Sequence, residues 1–284
     1  MVSSMMSVKK AISIIPILLL YVFGGGGNTA HPAPQVPPAA EDVRPVYQWD
    51  TMTARNQYTA EDGTELMYYS YQLLTLSVPN LEELPAGAAE TARHNVDNFN
   101  SKMTSLMDES VEVGQVMMED VVQLYSEQGA AGIPFYDETS ATCQQTGDIL
   151  NVRVSGSSYA GGAHPNRCDV SYLFDLRSGQ FIDPTQIADK PEAFRSGAAA
   201  LLVEKAEALE EYRAHYWSDY AEIIEHWNEG TVLFDEDGML VVYSPYLLGP
   251  YSMGEVELRL SYDELADLIG PGGLERLAME RVPD

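Results

Sequence analysis

The segment at residues 159–166 most constrains how this chain can fold. It reads Tyr-Ala-Gly-Gly-Ala-His-Pro-Asn and lies between residues 149–155 and 170–174, where apolar and polar residues alternate with the period of a half-buried strand. Paired glycines allow positive φ angles, while Pro165 fixes its own φ and restricts the residue before it to extended conformations. The pattern therefore predicts a rigid turn between two strands, with an aromatic residue and a histidine beside it.

Strand and helix patterns occupy separate stretches of the remaining chain. Strand patterns cover residues 135–144, 148–157, 167–176 and 232–243. Helical spacing of apolar residues covers residues 86–127 and 191–215. Because the strands do not alternate with helices, we predict an α+β fold, an antiparallel sheet with helices packed on one face, in two contacting subdomains. The first helical stretch would be about 60 Å long at about 1.5 Å per residue, so a break near residues 109–114 is expected.

The N-terminal residues have the composition of an export signal followed by a tether. Residues 1–30 contain two lysines, a short apolar run and then small residues, the features of a secretory signal peptide. The run is shorter than the roughly 20 residues that cross a bilayer, so we expect cleavage, with a retained membrane anchor as the alternative. Residues 31–46 are rich in Pro and Ala and form a predicted linker. The predicted subdomains are then residues 47–130 and 131–284, placed outside the cell or in the cell envelope.

The charge of the chain limits its partners. Sixteen Lys and Arg residues against 43 Asp and Glu residues give a formal net charge of −27. Such a chain repels nucleic acid and anionic lipid and attracts cationic partners over about a Debye length, about 8 Å at physiological salt. We therefore exclude nucleic acid as a partner. High charge also favours solubility, which by itself names no partner.

The two cysteines, Cys143 and Cys168, leave two alternatives open. Export favours a disulfide. A simple meander places them toward opposite ends of neighbouring strands, beyond the ~7 Å between Cα atoms that a disulfide allows, which favours unpaired thiols. No cysteine or histidine pair has the spacing of zinc ligands, so neither a metal nor a cofactor is expected.

Four motifs occur in a fixed order along the second half of the chain. They are Tyr-x-Gly-Gly-Ala-His at 159–164, Phe-Asp-Leu-x-x-Gly at 174–179, Pro-Tyr-x-x-x-Pro-Tyr-x-x-Gly at 245–254 and Tyr-x-x-Leu at 262–265. In this order they resemble the extracellular domain of unknown function shared by the anti-sigma factor RsiV and the peptidoglycan deacetylase PdaC. The resemblance covers roughly residues 135–269. A weaker likeness to the companion N-terminal module of that family covers residues 47–125.

The resemblance implies a function in binding. Only about ten residues precede the apolar run, and the chain ends soon after the shared module, so neither sigma-factor binding nor deacetylase activity is expected. What remains is a non-catalytic, exported binding or sensing module of the bacterial cell envelope. In RsiV this module binds C-type lysozyme, so the expected partner is lysozyme or another cationic wall-active protein.

The predicted binding residues belong to two stiffened loops that must lie side by side. They are Ser158, Tyr159, Gly161, Gly162, His164, Pro245, Tyr246, Pro250 and Tyr251. Tyrosines between prolines offer a large contact area with little side-chain entropy to lose, which suits protein recognition. Alternatively, the rings pack over the sheet edge and His164 only braces its turn. A third reading is a peptidoglycan-related hydrolase that uses His164 with an unidentified carboxylate.

Overall fold

The computed structural model describes residues 43–129 and 134–278. The predicted signal peptide and most of the predicted linker lie outside these residues, as does the predicted subdomain boundary at residues 130 and 131. The strands are β1 Gln48–Thr59, β2 Glu65–Ser77, β3 Phe135–Thr146, β4 Ile149–Tyr159, β5 Asn166–Asp175, β6 Gln180–Ile182, β7 Thr231–Phe234, β8 Gly238–Tyr243 and β9 Val256–Ser261. The helices are α1 Ala86–Gln128, α2 Pro191–Ala208, α3 Glu210–Arg213, α4 Tyr220–Glu225 and α5 Tyr262–Arg276. None of these helices combines the length and apolar character needed to cross a bilayer.

The strands form two sheets, which confirms the predicted α+β class. The larger sheet has the order β1-β2-β3-β4-β5-β6, and the smaller one has the order β7-β8-β9. One pair departs from the antiparallel prediction, because β2 and β3 are parallel. The reason is the connection between them: parallel neighbours need a crossover of a dozen or more residues, and α1 supplies it.

Helix α1 is continuous from Ala86 to Gln128, so the predicted break near residues 109–114 is wrong. Gly114, at the end of the predicted break, instead allows close packing of the helix on β2. A Cβ atom at this position would lie 2.5 Å from the Tyr71 hydroxyl and 2.7 Å from the Tyr69 ring. The packing that the missing side chain permits outweighs the low helix propensity of glycine.

Helix α1 covers one face of the larger sheet with apolar side chains. Phe99 and Met103 pack with Leu150, Val152 and Phe174, all of which are buried. Since successive strand residues point to opposite faces, the alternate residues of β4 and β5 point away from α1. Ile149 and Leu173 are among these, and they join a second core formed by the smaller sheet with α2 and α5.

Strand β7 docks on this second face through hydrogen bonds to side chains of the larger sheet. The backbone N–H of Val232 donates to Ser171 Oγ at 2.7 Å, and that of Phe234 donates to Asn151 Oδ1 at 2.7 Å. In return, Thr146 Oγ1 donates to the Phe234 carbonyl at 2.7 Å. An edge strand otherwise leaves these backbone groups unpaired. The contacts fix the smaller sheet, and with it the loop that follows β8, relative to β4 and β5.

Candidate functional site

The turn between β4 and β5 has the positive φ angles that its paired glycines predict. Gly161 and Gly162 take φ angles of 91° and 107°, values that L side chains rarely adopt. The Tyr159 hydroxyl donates across the turn to the Gly162 carbonyl at 3.1 Å. The ladder between β4 and β5 ends at the pair Ser158 and Asn166, so His164 lies just before the second strand.

Trp217 holds the loop after β8 through two hydrogen bonds. The Trp217 backbone N–H donates to the Leu248 carbonyl at 2.8 Å, and its indole Nε1 donates to the Tyr246 carbonyl at 3.2 Å. Gly249 is packed against the side chain of Met253, and a Cβ atom at Gly249 would lie 2.9 Å from the His215 carbonyl. These contacts give residues 244–254 a defined shape, in which Tyr251–Met253 form a 3-10 turn.

The two loops meet at His164, as the predicted surface requires. Its Nε2 lies 3.0 Å from the Tyr246 hydroxyl, and its ring stacks on Tyr251 with a centroid distance of 3.6 Å and an interplanar angle of 12°. Its Nδ1 lies 3.0 Å from the Pro165 carbonyl, which can only accept. Nδ1 therefore carries a proton and donates to this carbonyl, and the hydrogen bond between Nε2 and the Tyr246 hydroxyl joins the two loops.

We call His164, Trp217, Tyr246, Leu247 and Tyr251 the aromatic patch. Tyr246, Leu247 and Trp217 are 53%, 43% and 42% exposed, which is high for large apolar side chains. Tyr246 also has a φ of 75°, a left-handed conformation that is rare for a residue with a bulky side chain. The patch therefore combines exposed rings with a backbone held in an unfavourable conformation.

Other predicted residues take different positions. Tyr159 contacts Phe135 and Tyr136, each at a centroid distance of 6.2 Å, and no ring contact joins it to the aromatic patch within the described residues. Ser158 pairs with Asp137 and lies on the strand rather than in the turn. Pro245 and Pro250 are partly buried and frame the loop. Sequence reasoning missed Trp217, whose distance along the chain from both loops gave no sign of this contact.

A network of charges beside the patch ties β4 to the end of the second loop. Arg153 contacts Asp169 at 3.0 Å and Glu255 at 3.3 Å, and Ser155 donates to the same Asp169 carboxylate. Burial opposes ionisation of Asp169, but the hydrogen bonds from Arg153 and Ser155 outweigh it, and its pKa is lowered. Since Glu255 follows Gly254 directly, the network also restrains the loop.

Among the described residues, the hydrogen-bond partners of His164 are a phenol and a carbonyl. No carboxylate within residues 43–129 and 134–278 is hydrogen-bonded to its ring. The same residues contain no group of three or more His, Cys, Asp or Glu side chains that could hold a metal ion. Cys143 and Cys168 are free thiols, and burial raises the pKa of Cys143 to about 12.

Comparison with known proteins finds one family model that is similar to part of the chain. The model of the family "Protein of unknown function (DUF3298)" matches residues 194–263. This stretch includes Trp217, Tyr246 and Tyr251 of the aromatic patch, but not the turn that carries His164. The DUF3298 match supports the family resemblance in its coarser form, and the finer assignment to the RsiV and PdaC type stays a prediction. No curated protein matches the chain.

Two solved DUF3298 structures resemble the chain. One, from Bacteroides fragilis NCTC 9343, is 13% identical, with a TM-score of 0.62 over 82% of this chain and 98% of that one. The other, from Pseudomonas aeruginosa PAO1, is 16% identical, with a TM-score of 0.48 over 83% of this chain and 98% of that one. At this identity the first likeness concerns the fold alone.

Proposed function

We propose that this chain is a non-catalytic, exported module of the cell envelope that binds a cationic protein, such as a C-type lysozyme, through the aromatic patch. The observation that carries the proposal is the exposed Tyr246, whose hydroxyl bonds to His164 and whose backbone is left-handed. For a residue other than glycine this conformation costs about 1–2 kcal/mol. Such strain persists only where the surrounding contacts impose it, and it clusters at ligand-binding positions.

The physical character of the patch suits protein recognition. Tyrosine and tryptophan dominate binding energy at protein interfaces, because they bury a large area and keep a polar group for wet contacts. The aromatic patch holds its rings in place before any partner arrives, which reduces the entropy lost on binding. His164 contributes by holding Tyr246 through a hydrogen bond and Tyr251 through stacking.

Charge would bring such a partner to the patch. With a net charge of −27, the chain attracts a cationic protein before contact, and this raises the association rate more than the final affinity. The attraction weakens as salt screens it. Association with the partner should therefore slow with added salt, while the contacts of the aromatic patch persist.

Calorimetric titration with a C-type lysozyme at about 20 mM and about 150 mM salt tests the proposal, because these concentrations change the screening length severalfold. Tyr246→Gly removes the ring and suits the left-handed backbone, so it should fold at least as stably as the parent while binding at least about tenfold more weakly. Val116→Ala is the matched control, because Val116 on α1 is also 53% exposed but lies outside the patch. It should bind like the parent.

Two results would contradict the proposal. Absence of binding at both salt concentrations would remove lysozyme as the partner. Equal affinity of the parent and Tyr246→Gly would remove the aromatic patch as the binding surface, whatever the partner.

A further inference from the structure

The part of the larger sheet that neither α1 nor the smaller sheet covers forms a second, polar site. A cleft of about 390 Å³ lies there, within the usual size range of small-ligand sites. Apart from Glu255, its lining comes from four neighbouring strands, and the register places eight of the lining residues in two rows across them. One row is Ser70, Glu138, Ser157 and Arg167, and the next is Gln72, Ser140, Ser155 and Asp169.

The carboxylates of this cleft already have partners. Asp169 and Glu255 share Arg153, at 3.0 and 3.3 Å. The carboxylate of Glu138 interacts with the Tyr68 hydroxyl, which contributes to the raised pKa of Tyr68 after the larger effect of burial. Asp169 and Glu255 are therefore paired with a guanidinium, while Glu138 faces only the neutral hydroxyl of Tyr68.

Arg167 brings to the cleft a positive charge that has no partner among the described residues. It is exposed, and within the described part of the chain no hydrogen bond or ion pair engages its guanidinium. The side chains of Ser70, Gln72 and Ser140 likewise have no hydrogen-bond partner among the described residues. The cleft thus offers one free guanidinium together with neutral hydroxyl and amide groups.

A row of tyrosines borders the cleft on the same face. Tyr68, Tyr136 and Tyr159 are in register on β2, β3 and β4, one row from Glu138 and Ser157. Tyr68 stacks on Tyr136 at 5.7 Å, and Tyr136 on Tyr159 at 6.2 Å. The Tyr136 hydroxyl lies 3.4 Å from Ser157 Oγ, which places this ring beside the cleft. The row supplies an apolar border to a polar site.

We propose that this cleft binds a saccharide that carries one carboxylate. A guanidinium binds a carboxylate through two parallel hydrogen bonds. The serine hydroxyls and the Gln72 amide both donate and accept, as sugar hydroxyls require. The tyrosine row contacts the apolar C–H surface of the sugar. The site is distinct from the aromatic patch, because no residue of the patch lines the cleft.

The charge of the protein limits the ligand to low charge. A polyanion would be repelled by the net charge of −27 well before it reached Arg167. A single carboxylate loses little to this repulsion, and it gains a charge-assisted hydrogen bond on contact. This argues for a sugar acid over nucleic acid or a polyphosphate.

Two-dimensional NMR of the ¹⁵N-labelled chain tests the proposal, with D-glucuronate as the probe and its uncharged methyl ester as the matched ligand. A ligand of this size is expected to bind with a Kd of millimolar order, so titration should extend to about 20 mM. Glucuronate should shift the amide signals of Ser140, Ser157 and Arg167. Arg167→Gln should weaken binding about 10- to 100-fold, the range for losing a hydrogen bond to a charged group.

The control variant is Arg93→Gln on α1, which also removes an exposed arginine without a hydrogen-bond partner among the described residues. It should bind glucuronate like the parent. Since the Arg167 side chain makes no hydrogen bond among the described residues, Arg167→Gln should unfold at the parent temperature.

Absence of shifts at about 20 mM, equal binding of the ester and the acid, equal binding by Arg167→Gln, or shifts confined to the aromatic patch would each overturn the proposal. Lysozyme affinity should not change in Arg167→Gln, which separates this result from the proposed function.

Discussion

The two faces of the six-stranded sheet are covered in different ways. Helix α1 packs on one face through buried apolar side chains and the close approach at Gly114. Strand β7 lies on the other face, where Asn151, Ser171 and Thr146 pair with its backbone groups. Apolar burial is non-directional, whereas a hydrogen bond needs a donor–acceptor distance of about 2.7–3.2 Å and a favourable angle. Packing of α1 therefore stabilises the sheet, whereas the hydrogen bonds of β7 fix the position of the aromatic patch.

Gly114→Val should produce the largest loss of stability, because it disrupts the packing of α1. Its side chain would overlap the Tyr69 ring and the Tyr71 hydroxyl, and the latter is held by a 2.7 Å hydrogen bond to Asp137. Overpacking of this kind costs about 3 kcal/mol or somewhat more. Urea unfolding followed by circular dichroism measures the change in the free energy of unfolding.

Gly87→Val, near the start of the same helix, is the matched control. A Cβ atom at Gly87 has no neighbour within 4 Å, so this variant should be neutral or slightly stabilising. Equal stability of the two variants would mean that α1 does not approach the sheet as closely as described.

Asn151→Leu should have a smaller effect on stability and a clearer one on the aromatic patch. Asn151 is 3% exposed, and its loss leaves the Phe234 N–H buried without a partner, at a cost of about 1–3 kcal/mol. Because β7 and β8 carry the second loop, this variant should also weaken lysozyme binding. Asn56→Leu on β1, which replaces an exposed asparagine, is the control for stability and binding. Normal binding by Asn151→Leu would show that the strand does not set the position of the patch.

Features that depend on neighbouring residues could be predicted from the sequence, and features that depend on contacts between distant residues could not. Period and turn residues predicted the hairpin of β4 and β5 and the turn glycines, whereas the meeting of the two loops was a hypothesis from the family resemblance. The parallel pairing of β2 with β3, the continuity of α1 and the contact of Trp217 with Tyr246 depend on residues far apart in the chain. Gly114 illustrates the limit, since a glycine in a helical pattern indicates a break or a close contact equally well. Only the position of Tyr69 and Tyr71 decides between them.

The smallest expected effect tests whether polar contacts make the second core sensitive to pH. Glu264 begins α5, where Lys205 at 2.7 Å and the Ser261 backbone N–H at 2.9 Å lower its pKa to about 2. A lowered pKa stabilises the fold above the pKa of the unfolded chain, near 4.3, and this contribution is lost as pH falls toward 2. Glu264→Gln should therefore be less stable than the parent at pH 6 and equal to it near pH 2. The side chain is 34% exposed, so the difference should stay below about 1 kcal/mol.

Glu192→Gln is the control, because Glu192 pairs with Arg195 but is 86% exposed, and it should show a smaller difference in the same unfolding experiment. A constant difference between Glu264→Gln and the parent from pH 6 to pH 2 would assign the effect to packing instead of charge.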